Sequence, residues 1–388
     1  MLILGIYYYG KTKGGIILII GIPKELKDQE SRVAIIPGAC TELTKSGNKV
    51  IIETGAGLAS GISDEDYKEA GAEIVDSAAE VWENADIIYK VKEPLKEEYK
   101  YFREGLIIYT YLHLASNPEL TDALIENKVT GIGFETVQLD NKLPLLRPMS
   151  EIAGRMAVQE GAQYLTKPKG GRGILLQGVP GVRPANVVIV GAGTVGTAAT
   201  RIAVGMGARV TVLDVNIEAL TQLHNLFPDK IETLYSNPLN IEEAVKNADL
   251  VISTVLIPGA RAPQLIKEDM VKQMKEGSVI VDVAIDQGGS TDLTKGRPTS
   301  HTNPTFVEHG VIHYAVANIP GAVAMTSTYA LSNATTRYAK ALADLGVKGA
   351  CERFPELIKG INTYDGYVTY EPVAKDTDHE YKELDIAE

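Results

Sequence analysis

Val187-Val188-Ile189-Val190-Gly191-Ala192-Gly193-Thr194-Val195-Gly196 is the stretch on which the reading of the fold turns. Its first four residues are β-branched and read as a buried strand. The glycines then fall in a G-x-G-x-x-G pattern, and a helical pattern opens at Thr194. That pattern alone is a weak signal. Here a second strand at 209–213 follows the helix and leads to Asp214, 18 residues beyond Gly196. This is close to the spacing of a dinucleotide-binding βαβ unit. Each glycine has a physical task. Gly191 permits the tight turn, Gly193 lets a pyrophosphate approach the backbone, and Gly196 lets helix and strand pack closely. The helix N-terminus offers N–H groups and a partial positive charge to the same pyrophosphate. Asp214 could accept hydrogen bonds from both ribose hydroxyls and would repel a 2′-phosphate. Val215, Asn216 and Ile217 bring no cation to offset that repulsion. NAD is therefore expected rather than NADP. A turn of the same shape that holds no nucleotide is the alternative reading.

Outward from this unit, short β-branched runs alternate with helical patterns, as in parallel sheets covered by helices. Strands are expected at 16–21, 50–53, 87–91, 106–112 and 129–134, then at 187–190, 209–213, 250–254 and 278–283. Helices are expected at 151–167, 194–206, 218–227, 241–246 and 327–345. Residues 79–86 and 243–249 echo one another as helix-to-strand units, which suggests two similarly wound α/β domains. Proline-bearing boundary signals sit at 144–148 and at Pro320-Gly321.

Composition narrows the function classes. A chain of 388 residues can bury a large core and suggests two domains. With 38 basic and 50 acidic residues the net charge is −12, which disfavours binding to a phosphate backbone. Hydrophobic content of 45% and charged content of 23% match a soluble globular protein rather than a disordered or fibrous one. Cys40 and Cys351 stand alone, without the spacing of a zinc site or a disulfide framework, which fits a reducing cytoplasm and no metal. No apolar run approaches the ~18 residues that span a bilayer, so no membrane partner is expected. Residues 1–15 lack the layout of a signal peptide. They read either as a leader or as an extra edge strand.

Ligands of open parallel sheets gather outside the carboxyl ends of the strands, and four reactive residues fall at such places. Arg32 lies in the segment after the first strand. Lys92 follows the strand at 87–91, His113 the strand at 106–112, and Asp286 the strand at 278–283. Each has a bland reading: a surface cation, a solvated lysine, a satisfied loop histidine, and a turn cap before Gly288-Gly289. Together they form one chemical set. Two cations could clamp a carboxylate and polarise a carbonyl. A histidine could exchange a proton near neutral pH. A carboxylate could orient water or ammonia.

Gly21-Ile22-Pro23-Lys24-Glu25, Arg32-Val33-Ala34 and Lys90-Val91-Lys92-Glu93-Pro94 resemble the alanine dehydrogenase and transhydrogenase N-terminal family. Leu112-His113-Leu114-Ala115, Met149-Ser150-Glu151-Ile152-Ala153-Gly154-Arg155 and Ile285-Asp286-Gln287-Gly288-Gly289 narrow the resemblance to alanine dehydrogenases. Val316-Ala317-Asn318-Ile319-Pro320 and Thr326-Ser327-Thr328-Tyr329-Ala330-Leu331 agree with it. The resemblance spans residues 16–370.

It implies an α/β fold of two doubly wound, Rossmann-like parallel-sheet domains with a cleft between them. Residues 146–319 would be the NAD-binding domain, and 1–145 with 320–388 a discontinuous substrate domain. It implies NAD-dependent, reversible oxidation of L-alanine to pyruvate and ammonium by a cytoplasmic homo-oligomer, commonly a hexamer. Arg32 and Lys92 would hold substrate, His113 would transfer protons, and Asp286 would be the catalytic carboxylate. Besides Gly191, Gly193, Gly196 and Asp214, cofactor contacts would fall on Ser150, Thr194, Val195, Ser236, Val255 and Leu256. They would continue through Val283, Ala284, Ile285, Arg297, Val316, Ala317, Asn318 and Ile319. Two rivals share parts of the pattern. One is the NAD-binding part of a proton-pumping transhydrogenase, which would not require the His113 and Asp286 set. The other is a dehydrogenase of a larger amino acid.

Overall fold

The computed structural model describes residues 18–140, 142–255 and 262–386. The expectations for residues 1–15, for the first two residues of the strand at 16–21, and for Leu256 lie outside the described residues. The chain forms two units, Met149–Ala322 and Met1–Pro148 with Val323–Glu388.

In the continuous unit, the fingerprint strand Asn186–Val190 lies between Arg209–Asp214 and Leu250–Ser253, parallel to both. A strand flanked on both sides in a covered sheet has no solvent face, so an unbroken apolar run is stable there. Val187, Val188, Ile189 and Val190 are accordingly buried. The sheet runs Thr305–Glu308, Val311–Tyr314, Val279–Asp282, Leu250–Ser253, Asn186–Val190, Arg209–Asp214, Ile231–Tyr235. Its first pair is antiparallel and the rest are parallel. Numbered along the chain, the parallel strands lie in the order 3-2-1-4-5-6 of a doubly wound sheet.

Small residues bring the covering helices close. The helix Thr194–Gly205 buries Ala198, Ala199 and Ala203. A Cβ on Gly154, in the helix Arg147–Tyr164, would lie 2.2 Å from the Val195 carbonyl oxygen, so only glycine fits that contact. Val188, Leu213, Val251, Ile266 and Ile280 meet in the core of this unit.

The discontinuous unit repeats the winding. Its sheet runs Tyr367–Val368, Ile361–Tyr364, Thr130–Gly133, Ile107–Thr110, Ile87–Tyr89, Ile19–Ile22, Lys49–Glu53, Glu73–Val75. The last six are parallel and again lie in the order 3-2-1-4-5-6. The first two come from the chain's C-terminal part and add antiparallel strands on the Thr130–Gly133 side. The helix Ala78–Asn84 sits on the first strand at Gly21, where a Cβ would come within 2.6 Å of Ala85. The long helix Ala324–Arg353, interrupted at Gly346 with φ 69°, returns to this unit along a hydroxyl-bearing face. Thr328 Oγ1 accepts from the Val33 N–H at 3.1 Å, and Ser332 Oγ accepts from the Ile36 N–H at 3.2 Å. The backbone beside Arg32 is thereby pinned by residues almost three hundred positions away.

Several elements differ from expectation. The strands at 87–91 and 106–112 stop early, at Tyr89 and Thr110: the Lys90 and Tyr111 amides still bond backbone carbonyls, and side chains take the amides that follow. Glu25 accepts from the Val91 N–H at 2.6 Å. Glu135 accepts from the Leu112 and His113 N–H groups at 3.1 and 2.6 Å. The helix expected at 327–345 begins three residues earlier, at Ala324, and breaks where expected, at a kink on Gly346, beyond which a further helical stretch continues to Arg353. Glu73–Val75 and Ile231–Tyr235 are further strands, partly exposed at sheet edges and too mixed in character to stand out as apolar runs. No described helix is long and apolar enough to cross a membrane.

Candidate active site

In the discontinuous unit the winding reverses between Ile19–Ile22 and Ile87–Tyr89, which are neighbours in the sheet. The carboxyl ends at such a reversal open outward and leave a crevice for a ligand. The segment carrying Glu25, Glu30 and Arg32 leaves the first strand here. Lys90, Lys92 and Glu93 leave the second, and Tyr111 and His113 leave its neighbour Ile107–Thr110. Three of the sequence-derived residues, Arg32, Lys92 and His113, are thus brought to one end of one sheet.

Arg32 is 3% exposed and held by Glu30 in a two-point ion pair, with Nε and Nη2 at 2.6 and 2.5 Å from the two carboxylate oxygens. Burial alone would weaken the Arg32 charge, but Glu30 outweighs it and keeps the guanidinium charged. Lys92 is 9% exposed, and its Nζ lies 3.5 Å from His113 Nε2. The Thr110 hydroxyl donates to the Lys92 carbonyl at 3.0 Å. His113 has φ 51°, a left-handed conformation, and its N–H is anchored by Glu135. Its ring stacks on Tyr111 at 6.0 Å between centroids. Lys27 pairs with Glu93. Burial would raise the Glu93 carboxyl, but the charges of His113, Lys92 and Lys27 outweigh it and hold the group below its ordinary value. The site therefore presents a fixed guanidinium, an ammonium beside an imidazole, and a carboxylate that stays ionised.

Behind these groups lies a buried cluster that the sequence pattern did not single out. Lys90 Nζ donates to Glu98 at 2.6 Å and lies 3.8 Å from Glu25 Oε2. Glu98 also accepts from the Leu95 N–H at 2.8 Å. The alternation Lys90-Val91-Lys92-Glu93 hinted at it: one lysine faces inward and the other toward the strand-end crevice.

The continuous unit gathers most of the remaining residues at the carboxyl ends of its own parallel strands. Gly191 has φ 112°, and a Cβ on Gly196 would sit 1.8 Å from the Gly191 carbonyl oxygen. Gly193 faces open space and gives the helix Thr194–Gly205 no side-chain cap. The first N–H groups of that helix, at Thr194 and Val195, therefore remain for a ligand. Asp214 Oδ2 accepts from the Ala192 N–H at 2.6 Å and Oδ1 from the Asn216 N–H at 2.7 Å. Each oxygen keeps acceptor capacity. Ser236 and Val255 follow the ends of Ile231–Tyr235 and Leu250–Ser253. Val283, Ala284, Ile285 and Asp286 form a 3₁₀ turn after Val279–Asp282. Val316, Ala317, Asn318 and Ile319 follow Val311–Tyr314. Ser150 is in the first turn of Arg147–Tyr164. These residues fit a dinucleotide: a glycine turn with room in front, a set of helix N–H groups without a side-chain cap, and a carboxylate at the second strand end.

The Arg297 guanidinium lies 3.7 Å from the Phe306 ring centroid and 3.5 Å from Glu308, both on the antiparallel edge strand. Asp286 is exposed, and its Oδ2 accepts from the Asn318 N–H at 3.3 Å. Its loop hangs from the fully buried Asp282, which sequence reasoning missed. That carboxylate accepts from the Ala284 and Ser290 N–H groups at 3.0 and 2.8 Å and from the Ser290 and Thr294 hydroxyls at 2.7 and 2.5 Å.

Two Rossmann-wound sheets, a dinucleotide turn on one and a cation–imidazole set on the other define an oxidoreductase that uses a nicotinamide cofactor. The chain belongs to the alanine dehydrogenase/PNT family: residues 21–153 match its N-terminal domain and residues 157–371 its C-terminal domain. It is 60% identical to the alanine dehydrogenase of Methanococcus maripaludis, over 94% of this chain and 98% of that protein. It is 56% identical to the alanine dehydrogenase of Bacillus subtilis, over 94% and 96%. Among solved structures, an L-alanine dehydrogenase superposes with TM-score 0.89 at 49% identity, covering 93% of this chain and 99% of the other. A transhydrogenase from Sinorhizobium meliloti is more distant, with TM-score 0.76 at 26% identity, covering 91% and 99%.

Proposed function

We propose that this protein oxidises L-alanine to pyruvate and ammonium, reversibly, with NAD as the hydride acceptor. The observation that carries the reading is the strand-end group of Arg32, Lys92 and His113, in a chain whose 56–60% identical relatives bear the name alanine dehydrogenase. The preference for NAD over NADP rests on Asp214 and the lack of a cation in the three residues after it.

Bound NAD would accept the hydride released from the substrate Cα. Gly191, Gly193, Gly196, the amides of Thr194 and Val195, and Asp214 would hold it, with Ser150, Ser236, Val255, Leu256, Val283, Ala284, Ile285, Val316, Ala317, Asn318 and Ile319 as further contacts. Arg32, already fixed by Glu30, binds the substrate carboxylate without spending side-chain freedom. Lys92 shares that carboxylate and donates to the carbonyl oxygen that forms at Cα. Asp286 orients the water that adds to the imine carbon. His113, left-handed and anchored by Glu135, takes the proton from that water and returns it to the departing nitrogen. Positioning of this kind is worth several kcal/mol of barrier, about 7–11 at its upper limit.

By resemblance the active form is a homo-oligomer, a hexamer. A cytoplasmic setting accords with Cys40 and Cys351, which are buried and unpaired. The test is the appearance of NADH absorbance when the purified chain meets alanine and NAD, and its loss with pyruvate, ammonium and NADH. NADP and larger amino acids serve as comparison substrates. No alanine-dependent NADH formation would refute the assignment, and an activity confined to NADP would refute the reading of Asp214.

A further inference from the structure

The buried cluster behind Arg32 holds three carboxylates and two cations. Glu30 closes on Arg32, and Glu98 closes on Lys90. Glu25 is the fifth member and has no such closure. Its side chain is 3% exposed. One oxygen accepts from the Val91 N–H, while the other has no hydrogen-bond partner among the described residues and lies 3.8 Å from Lys90. Glu53, at the end of the neighbouring strand Lys49–Glu53, adds a further carboxylate within electrostatic reach of Lys90, beside Lys24. Glu25 itself lies within such reach of Glu30, Glu98 and Arg32. A buried carboxylate with one open oxygen among other carboxylates is the member that takes up a proton when negative charge is added nearby.

We propose that Glu25 is the proton-accepting member of this cluster and that binding of the keto-acid anion against Arg32 loads a proton onto it. Either substrate would set a carboxylate against Arg32, but alanine brings its own ammonium and adds no net charge to the site, whereas pyruvate adds one negative charge. The two substrates of the reversible reaction would thus differ in the proton that accompanies their binding. Burial is the main cause that pushes the Glu25 carboxyl up to about 7, eased by Lys90 and the Val91 N–H and reinforced by Glu30 and Glu98. Near neutrality it is therefore poised between its two forms. Glu25 is a positioning residue here: it balances the charge behind Arg32 and does not touch substrate.

The proposal rests on the assignment of Arg32 to the substrate carboxylate. Pyruvate, without ammonium, is titrated calorimetrically into the enzyme–NADH complex near neutral pH, in two buffers of different ionisation enthalpy. The slope gives protons taken up per pyruvate. His113 contributes to the slope in both wild type and Glu25→Gln, so the difference between them reports Glu25. The expected result is a slope smaller by roughly half a proton in Glu25→Gln. Equal slopes overturn the proposal and leave the alanine dehydrogenase reading intact. Failure of wild type to bind pyruvate overturns both. In wild type alone, infrared difference spectra should gain a protonated-carboxyl band on pyruvate addition. Absence of that band overturns the proposal even if the variant does not fold.

Discussion

His113 shows how one residue's backbone and side chain divide their tasks. Its left-handed φ of 51° and the Glu135 bond fix where the ring starts, and the ring stacks on Tyr111 with Nε2 near Lys92. Removing the ring removes a proton carrier but no cofactor contact. His113→Ala should lower kcat by about 10²–10⁴-fold with NADH affinity unchanged, as read by steady-state kinetics and fluorescence titration. Turnover within a few-fold of wild type would remove His113 from the mechanism. His313 is a contrasting case. It is fully buried, stacked on Phe306, with neither ring nitrogen hydrogen-bonded among the described residues. Burial, then the charges of Arg297 and His309, push its pKa down from 6.5 to about 4. The native ring therefore stays neutral while the unfolded chain takes up a proton, so wild type loses stability as pH falls from 6.5 toward 4. His313→Phe should raise thermal stability at neutral pH by about 1–2 kcal/mol, because an unpaired buried polar group disappears. The gain should grow on acidification and level off near pH 4. A gain that shrinks with acid would contradict this account.

The loop after Val279–Asp282 shows what an element needs beyond its own sequence. Asp282 supplies four acceptor bonds to residues 284–294, while Gly288 and Gly289, with φ 94° and 85°, let that loop reverse. In Asp282→Asn, an amide NH₂ must face N–H or O–H donors. The expected cost is about 2–4 kcal/mol of stability. Turnover should fall with it, because Asp286 is carried on the same turn. Thermal melts and kcat of the variant check both; an unchanged melt would mean that Asp282 does not hold the loop. The sequence reading located Asp286 because it follows an apolar run. Asp282 escaped notice because a carboxylate ending such a run reads as a boundary, and only folding brings Ser290 and Thr294 back to it. The same holds for Glu25 and Glu135, whose partners lie just past the ends of other strands. Buried central strands were legible from their unbroken β-branched runs, as at Asn186–Val190. Edge strands such as Ile231–Tyr235 were not, since half their surface is polar and pairing from one side alone defines them.

Chain order separates the two units at the level of the whole molecule. Met149–Ala322 is continuous and contains every strand of its sheet. The other unit takes two strands and the helix Ala324–Arg353 from the far end of the chain. A fragment of residues 149–322 should therefore fold alone and bind NADH, whereas residues 1–148 alone should remain unfolded, by circular dichroism and amide exchange. A folded 1–148 fragment would mean that the returning segment is dispensable. That returning helix also bears on how the protein is made. A ribosome reaches residue 322 with the nucleotide module complete, but the backbone beside Arg32 still awaits Thr328 and Ser332. Catalytic competence is thus withheld until the ribosome has passed residue 332, and a chain terminated between 322 and that point would sequester nucleotide without turning it over.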